Sequence, residues 1–166
     1  VDFDTALNTI RDHVSDDAYA EAEQLLGAES VFEDDGLFEI GADGTLPTAL
    51  VFLVYCVAGD APPAFLKLLS SDPVAAAVSA DPVKLLKNKP TRQCLKEILL
   101  TRLALYRSGK RSVNESHPHD AARAALVRDE RALARAQATG RGYRRVAALL
   151  LRVEEQTILL NALDKL

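Results

Sequence analysis

The stretch YRRVAALLLRVEEQTILLNALDKL, residues 143–166, decides the fold class because it forms one long amphipathic pattern. Its apolar residues recur at intervals of three and four, the spacing that places side chains on one face of an α-helix. Segments 90–109 and 119–140 show the same period, and Gly109 and Gly140 close them as helix-ending glycines. The stripe of the last helix comprises Val146, Leu149, Leu150, Val153, Leu160 and Leu163. These patterns predict three long helices, packed roughly antiparallel because the connecting loops are short.

Shorter helices precede these three, and prolines mark their first turns. Pro47 opens a helix that runs to about Ala58, and another begins at Pro62 or Pro63. Two Asp-Pro pairs then predict short helices capped by aspartates. The capping aspartates are Asp72 and Asp81. Two further helices are expected near the start of the chain, over 4–14 and 18–26.

The acidic stretch VFEDDGLFEIGADGTLPTAL, residues 31–50, has three candidate structures. A calcium loop counted back from Gly44 places Gly41 and Leu50 at ligand positions, and neither side chain binds calcium. A phosphate loop needs a lysine after its glycines, and none follows. Two short β-prone runs around a turn instead predict a hairpin. The predicted fold class is therefore mainly α, an irregular multi-helix bundle with one small β-hairpin near residues 31–40.

Length and composition fit one domain over residues 1–166, with a core of leucine, alanine and valine. Since no methionine precedes Val1, we expect a fragment of a longer chain. The longest apolar run, 49–59, is too short for a membrane span, and no signal peptide is visible. Cys56 and Cys94 match no metal or redox spacing and are expected to be buried small hydrophobes. We therefore expect an intracellular location, in the nucleus or the cytoplasm.

Charge is strongly segregated along the chain. Residues 1–83 carry sixteen acidic and two basic side chains, a net charge of −14, whereas residues 84–166 carry a net charge of +10. This asymmetry indicates either attraction between the halves within one fold or a charged partner. For a partner, the candidate contacts are Asp34, Asp35 and Asp43.

Two further groups of residues are candidate binding sites. His117 and His119, beside Asp120, begin a metal-like pattern, but a helix start at Pro118 explains it better. Arg128, Arg131 and Arg135 share one helix face, which suits nucleic acid. No aromatic residue interleaves them, and Asp129 and Glu130 interrupt them, so a solvated face pairing with acids of the fold is favoured and nucleic acid is disfavoured. We expect no metal site and no catalytic residues in the chain.

The final helix contains Arg152, Glu155 and the pair Ile158-Leu159. This run resembles the arginine, glutamate, isoleucine-leucine signature of the Rubisco large-subunit methyltransferase substrate-binding domain. That helical domain follows the SET domain in one group of protein-lysine methyltransferases. The segments LFEIGADGTLPTALVFLVYCV and LKEILLTRLALY are similar to the family's segments in the same order, and the likeness leans towards fungal enzymes that methylate ribosomal proteins.

The resemblance implies a division of labour. The SET domain of the same chain would bind S-adenosylmethionine and transfer the methyl group, so that no cofactor is expected in this part. The present domain would hold a protein substrate, such as a ribosomal protein. The alternative is a stand-alone helical interaction or scaffold domain with no enzyme attached, and a nucleic-acid-binding domain using the three arginines is a weaker alternative.

Overall fold

The computed structural model of the chain is mainly helical, which confirms the predicted fold class. It describes residues 9, 11, 16, 20, 38–58, 61–72, 75–76, 79–106, 117–140 and 142–166. The helices predicted over 4–14 and 18–26 lie outside these residues except at those single positions. Most of the predicted hairpin also lies outside them, and the described part, residues 38–40, is irregular. The hairpin therefore stays a prediction.

Six helices have both ends within the described residues. They are α1 Thr48–Ala58, α2 Pro63–Ser71, α3 Pro82–Leu85, α4 Lys89–Ala104, α5 Pro118–Ala138 and α6 Tyr143–Asp164. None of the helices found in the described residues is both long enough and apolar enough to cross a membrane.

The helix ends follow the local sequence signals. The side chain of Asp72 accepts a hydrogen bond from the Ala75 amide at 2.9 Å, and that of Asp81 accepts one from the Val83 amide at 3.0 Å. Both aspartates thus satisfy amides that a helix start leaves without partners. Pro47 differs slightly from expectation because it lies just before α1 rather than inside it, and its carbonyl accepts a bond from the Val51 amide at 3.2 Å.

The chain divides into two compact units, and the first comprises residues 1–41, 46–98 and 166. Helix α1 is its centre, since it is apolar on all sides and its residues 50–54 are at most 2% exposed. Phe65 of α2 packs its ring 5.7 Å from that of Phe52. Cys94 is buried and Cys56 is partly buried, and desolvation raises the pKa of each thiol to about 12.

The second unit comprises residues 42–45 and 99–165, and the pair α5–α6 is its main part. Ion pairs join Asp129 to Arg152 and Arg123 to Asp164, so the two helices run antiparallel, as predicted. Small alanines line the buried face of α5, which lets α6 approach closely. Among the described residues of the unit, the buried apolar ones are Leu99, Leu103, Ala122, Ala125, Ala136, Leu159, Leu160, Ala162 and Leu163.

The predicted apolar stripe of α6 wrongly includes one residue that is exposed in the structure. Leu150 is 42% exposed, whereas Leu160 and Leu163 are buried. At 3.6 residues per turn, Leu150 lies about 80° around the helix from Leu160, outside the narrower face that packs inward. The stripe is therefore correct at its C-terminal end and too wide at its N-terminal end.

Candidate functional site

A buried carboxylate on α5 lies at the centre of a group of polar contacts in the second unit. Asp129 is only 5% exposed, and it accepts hydrogen bonds from both helices of the pair. Its Oδ2 accepts from Arg152 Nη2 at 2.9 Å and from Gln156 Nε2 at 2.9 Å. Its Oδ1 accepts a longer bond, 3.3 Å, from Nε of the neighbouring Arg128. A buried charge of this kind is tolerated only when such partners surround it.

Tyr106, two residues beyond the end of α4, joins the same cluster. Its backbone carbonyl accepts from Arg128 Nη2 at 2.8 Å and from Arg152 Nη2 at 3.3 Å. The guanidinium of Arg152 also lies 5.5 Å from the centre of the Tyr106 ring, within range of a cation–π contact. Arg152 therefore connects the end of α4 with α5 and α6 at once.

A second ion pair borders the first. Arg102 of α4 donates a hydrogen bond from Nε to Glu155 Oε1 at 2.9 Å, and its Nη2 forms an ion pair with the same oxygen at 2.8 Å. The Tyr106 hydroxyl also hydrogen-bonds to Glu155. We call the whole cluster the polar network, and it comprises Arg102, Tyr106, Arg128, Asp129, Arg152, Glu155 and Gln156. It links three helices through charge-assisted bonds, which are the stronger class of hydrogen bond.

The network keeps its acids ionised and its phenol neutral. Burial by itself would raise the pKa of Asp129, but the bonds from Gln156 and Arg152 and the charges of Arg152 and Arg128 outweigh it and lower the pKa. Glu155 behaves in the same way because of Tyr106 and Arg102. Burial, followed by the bond to Glu155, raises the pKa of Tyr106 to about 12. This arrangement suits a fixed structural tie.

Sequence reasoning missed the main member of this network. It treated Asp129 as an interruption of the arginines, yet Asp129 lies on the buried alanine face with Ala122, Ala125 and Ala136. An acid at a helical spacing otherwise filled by small apolar residues was the available signal. Arg152 and Glu155 were identified through the resemblance, and the structure gives both a role in packing.

The three arginines predicted to share a face of α5 do line one open groove of 520 Å³. Arg128 forms part of its wall and is at the same time held by the polar network. Its other lining residues are Ala124, Val127, Arg131, Ala132 and Arg135. A second hollow of 340 Å³ shares Ala132 and Arg135 and adds Ala136, Thr139 and Arg145. We call the joined hollows the arginine groove.

The three acidic candidates for partner contact are Asp34, Asp35 and Asp43. Asp34 and Asp35 lie outside the described residues, so their role in partner contact stays a prediction. Asp43 is exposed, and its carboxylate accepts bonds from Lys165 Nζ at 2.8 Å and from the hydroxyl and amide of Thr45 at 2.7 and 3.0 Å. These bonds, from Lys165 first, hold the pKa of Asp43 well below its usual range. They also tie the short segment 42–45 to the end of α6.

The histidine pattern forms a helix start. His117 directly precedes α5 and Pro118 is its first residue, although the His117 side chain makes no capping bond. Nε2 of His119 lies 3.2 Å from Asp164 Oδ1, without the geometry of a hydrogen bond. Within the described residues, no group of three potential metal ligands occurs.

Comparison of the chain with protein-family models, with curated proteins and with solved structures found no match.

Proposed function

We propose that this chain is a helical protein-binding module without catalytic residues of its own. More particularly, we propose that it is the substrate-binding domain of a SET-domain protein-lysine methyltransferase acting on ribosomal or other basic proteins. In this proposal the SET domain binds S-adenosylmethionine and transfers the methyl group. The present chain holds the protein substrate and contacts the SET domain, in the nucleus or cytoplasm.

The observation that carries the proposal is the position of Arg152 and Glu155. They are the most specific part of the resemblance, and each forms an ion pair that ties α6 to another helix of its unit. A domain built this way needs an arginine and a glutamate at this spacing, one turn apart on α6. The motif therefore has a structural reason to exist in a helical binding domain.

Charge supplies the second support. A net charge of −14 over residues 1–83 attracts lysine-rich proteins and raises their rate of encounter. Ribosomal proteins and their tails are of this kind. The proposal therefore assigns substrate capture to the acidic half, with Asp34, Asp35 and Asp43 among the contacts.

Neutralising these three acids tests the assignment. We expect the variant D34N/D35N/D43N to bind a lysine-rich peptide several-fold more weakly than the parent. The dependence of the dissociation constant on salt should also become shallower, because fewer charges take part. Fluorescence anisotropy with a labelled peptide, at salt concentrations from low to physiological, measures both quantities.

The matched control removes three exposed acids from the other half of the chain, in the variant D120N/E130Q/E154Q. It changes the net charge by the same amount, and we expect affinity to change less than twofold. Equal losses in the two variants would mean that only net charge matters, and an unchanged affinity in the first variant would remove these acids from the site.

The coding sequence upstream of Val1 distinguishes the proposed methyltransferase domain from the alternative, a stand-alone scaffold domain. The proposal expects the end of a SET domain there, with an Asn-His pair and a tyrosine-containing motif before a short linker. An initiator methionine codon directly before Val1 would instead favour a free-standing interaction domain.

A further inference from the structure

The arginine groove lies along α5 and the start of α6 in the second unit. We propose that it docks an acidic, amphipathic helix of a partner protein. This inference does not depend on an attached methyltransferase domain, because it stands on the geometry and charge of α5 and the start of α6 alone.

The first step concerns the mutual repulsion of Arg128, Arg131 and Arg135, which we call the arginine row. Arg128, Arg131 and Arg135 follow one another at intervals of three and four, so each lies next to another positive charge on the helix surface. Such pairs destabilise a helix. The positions three and four residues before and after Arg131 and Arg135 hold no acid, so α5 supplies no compensating charge there. Besides the arginines themselves, these positions hold Val127, Ala132, Ala134, Ala138 and Thr139.

The rest of the described chain does not supply a compensating negative charge for Arg131 or Arg135 either. Asp129 is turned to the buried face and engages Arg128, and Asp164 engages Arg123. Within the part of the chain that the structure describes, Arg131 and Arg135 form no ion pair. A row of repelling cations next to an apolar hollow is the surface expected where negative charge arrives from outside the molecule.

The second step concerns the floor of the groove. Its lining between the arginines is apolar, from Ala124 and Val127 to Ala132 and Ala136. Val127 is 42% exposed although it is a large apolar side chain. Apolar floor and charged walls together match a ligand that is itself amphipathic, with leucine-type side chains inward and carboxylates towards the arginines.

The third step sets the size and class of the ligand. From Ala124 to Thr139 the groove follows α5 for about 22 Å, the length of about 15 residues of helix. Arg128 is held in place by Asp129 and Tyr106, which reduces the entropy lost when it contacts a ligand. No aromatic side chain lines the described groove, so base stacking has no platform there, and the apolar floor fits a peptide better than nucleic acid.

The test uses the full chain and a labelled 18-residue peptide, with leucines at helical spacing and glutamates elsewhere. We expect R131E to weaken its binding at least tenfold, or about 1.4 kcal/mol. The thermal midpoint should stay the same or rise, because the introduced carboxylate would lie between Arg128 and Arg135 and attract both. Loss of affinity without loss of stability distinguishes a binding residue from a structural one.

Two controls make the result specific. R144E changes the same charge on an exposed arginine of α6 outside the groove lining, and we expect affinity within twofold of the parent. A peptide of identical composition with its leucines scrambled off one face should bind at least tenfold more weakly.

Three results would overturn the proposal. The first is no binding of the amphipathic peptide at low salt. The second is an equal effect of R131E and R144E, which would mean unspecific attraction. The third is tighter binding of a single-stranded RNA oligonucleotide that R131E abolishes, which would make the groove a nucleic-acid site.

Discussion

Replacing Asp129 by alanine is expected to lower the free energy of unfolding by about 3 kcal/mol. The change removes the acceptor shared by Arg152 and Gln156, and Gln156 is completely buried, so its amide would lose a partner with no water to replace it. The Arg152 side chain is 43% exposed and can turn to solvent, which keeps the loss at the lower end of the range for a broken buried pair. Urea unfolding followed by circular dichroism measures the effect.

The neighbouring variant E130Q is the control, since Glu130 is exposed, and we expect a change within about 0.5 kcal/mol. A similar small value for D129A would contradict the role given to the polar network.

The contribution of Asp129 to the free energy of unfolding also depends on pH, in a direction that its pKa determines. The folded pKa of Asp129 lies below its unfolded value, which is about 3.9, so its contribution is present above that pH and is lost as pH falls through the folded pKa. The stability gap between the parent and D129N should thus be constant from pH 8 to about 5 and should narrow below about pH 4.

Replacing Gly44 by alanine is the second change with a large expected effect, about 3 kcal/mol or more. Gly44 has a φ of 85°, where side chains other than glycine are strained. A methyl group there would overlap the backbone nitrogen of Ala162 and lie 2.6 Å from the carbonyl carbon of Asn161. Backbone atoms within α6 cannot move aside, so the segment 42–45 would have to detach.

Gly140 provides a matched comparison. Its φ is 62°, but nothing lies within 4 Å of the position its methyl group would take. G140A should therefore cost only the conformational penalty, about 1 kcal/mol. Thermal or urea unfolding of the two variants gives the contact contribution as a difference, expected at about 2 kcal/mol. Equal values would mean that Gly44 is not pressed against α6.

The helices were predictable because their signals are local. The apolar period of segment 90–109 predicted a helix with one buried face, and on that face of α4 Leu95, Ile98, Leu99 and Leu103 are at most 1% exposed. The aspartate caps at Asp72 and Asp81 were foreseen for the same reason, since a cap acts within three residues.

The contacts that decide the candidate site are not local. In the sequence Gly44 served only to test and reject a calcium loop, whereas its main constraint comes from Asn161 and Ala162, more than a hundred residues further along the chain. The arginine row was predicted from spacing, but spacing does not say that Arg128 is anchored while Arg131 and Arg135 form no ion pair with any described residue. That difference depends on which face of α5 meets α6. The apolar period of a sequence predicts which residues share a face of a helix. Which other element packs against that face depends on the tertiary structure.

Our proposal is that this chain captures a basic protein for an attached methyltransferase. Its most direct test is the steady-state kinetics of the gene product that carries the chain, with S-adenosylmethionine and a ribosomal-protein substrate. We predict that D34N/D35N/D43N raises KM for the protein substrate several-fold and leaves kcat and the affinity for S-adenosylmethionine unchanged. A fall in kcat or in S-adenosylmethionine affinity with an unchanged KM, or no methyl transfer to lysine by the parent, would contradict the claim.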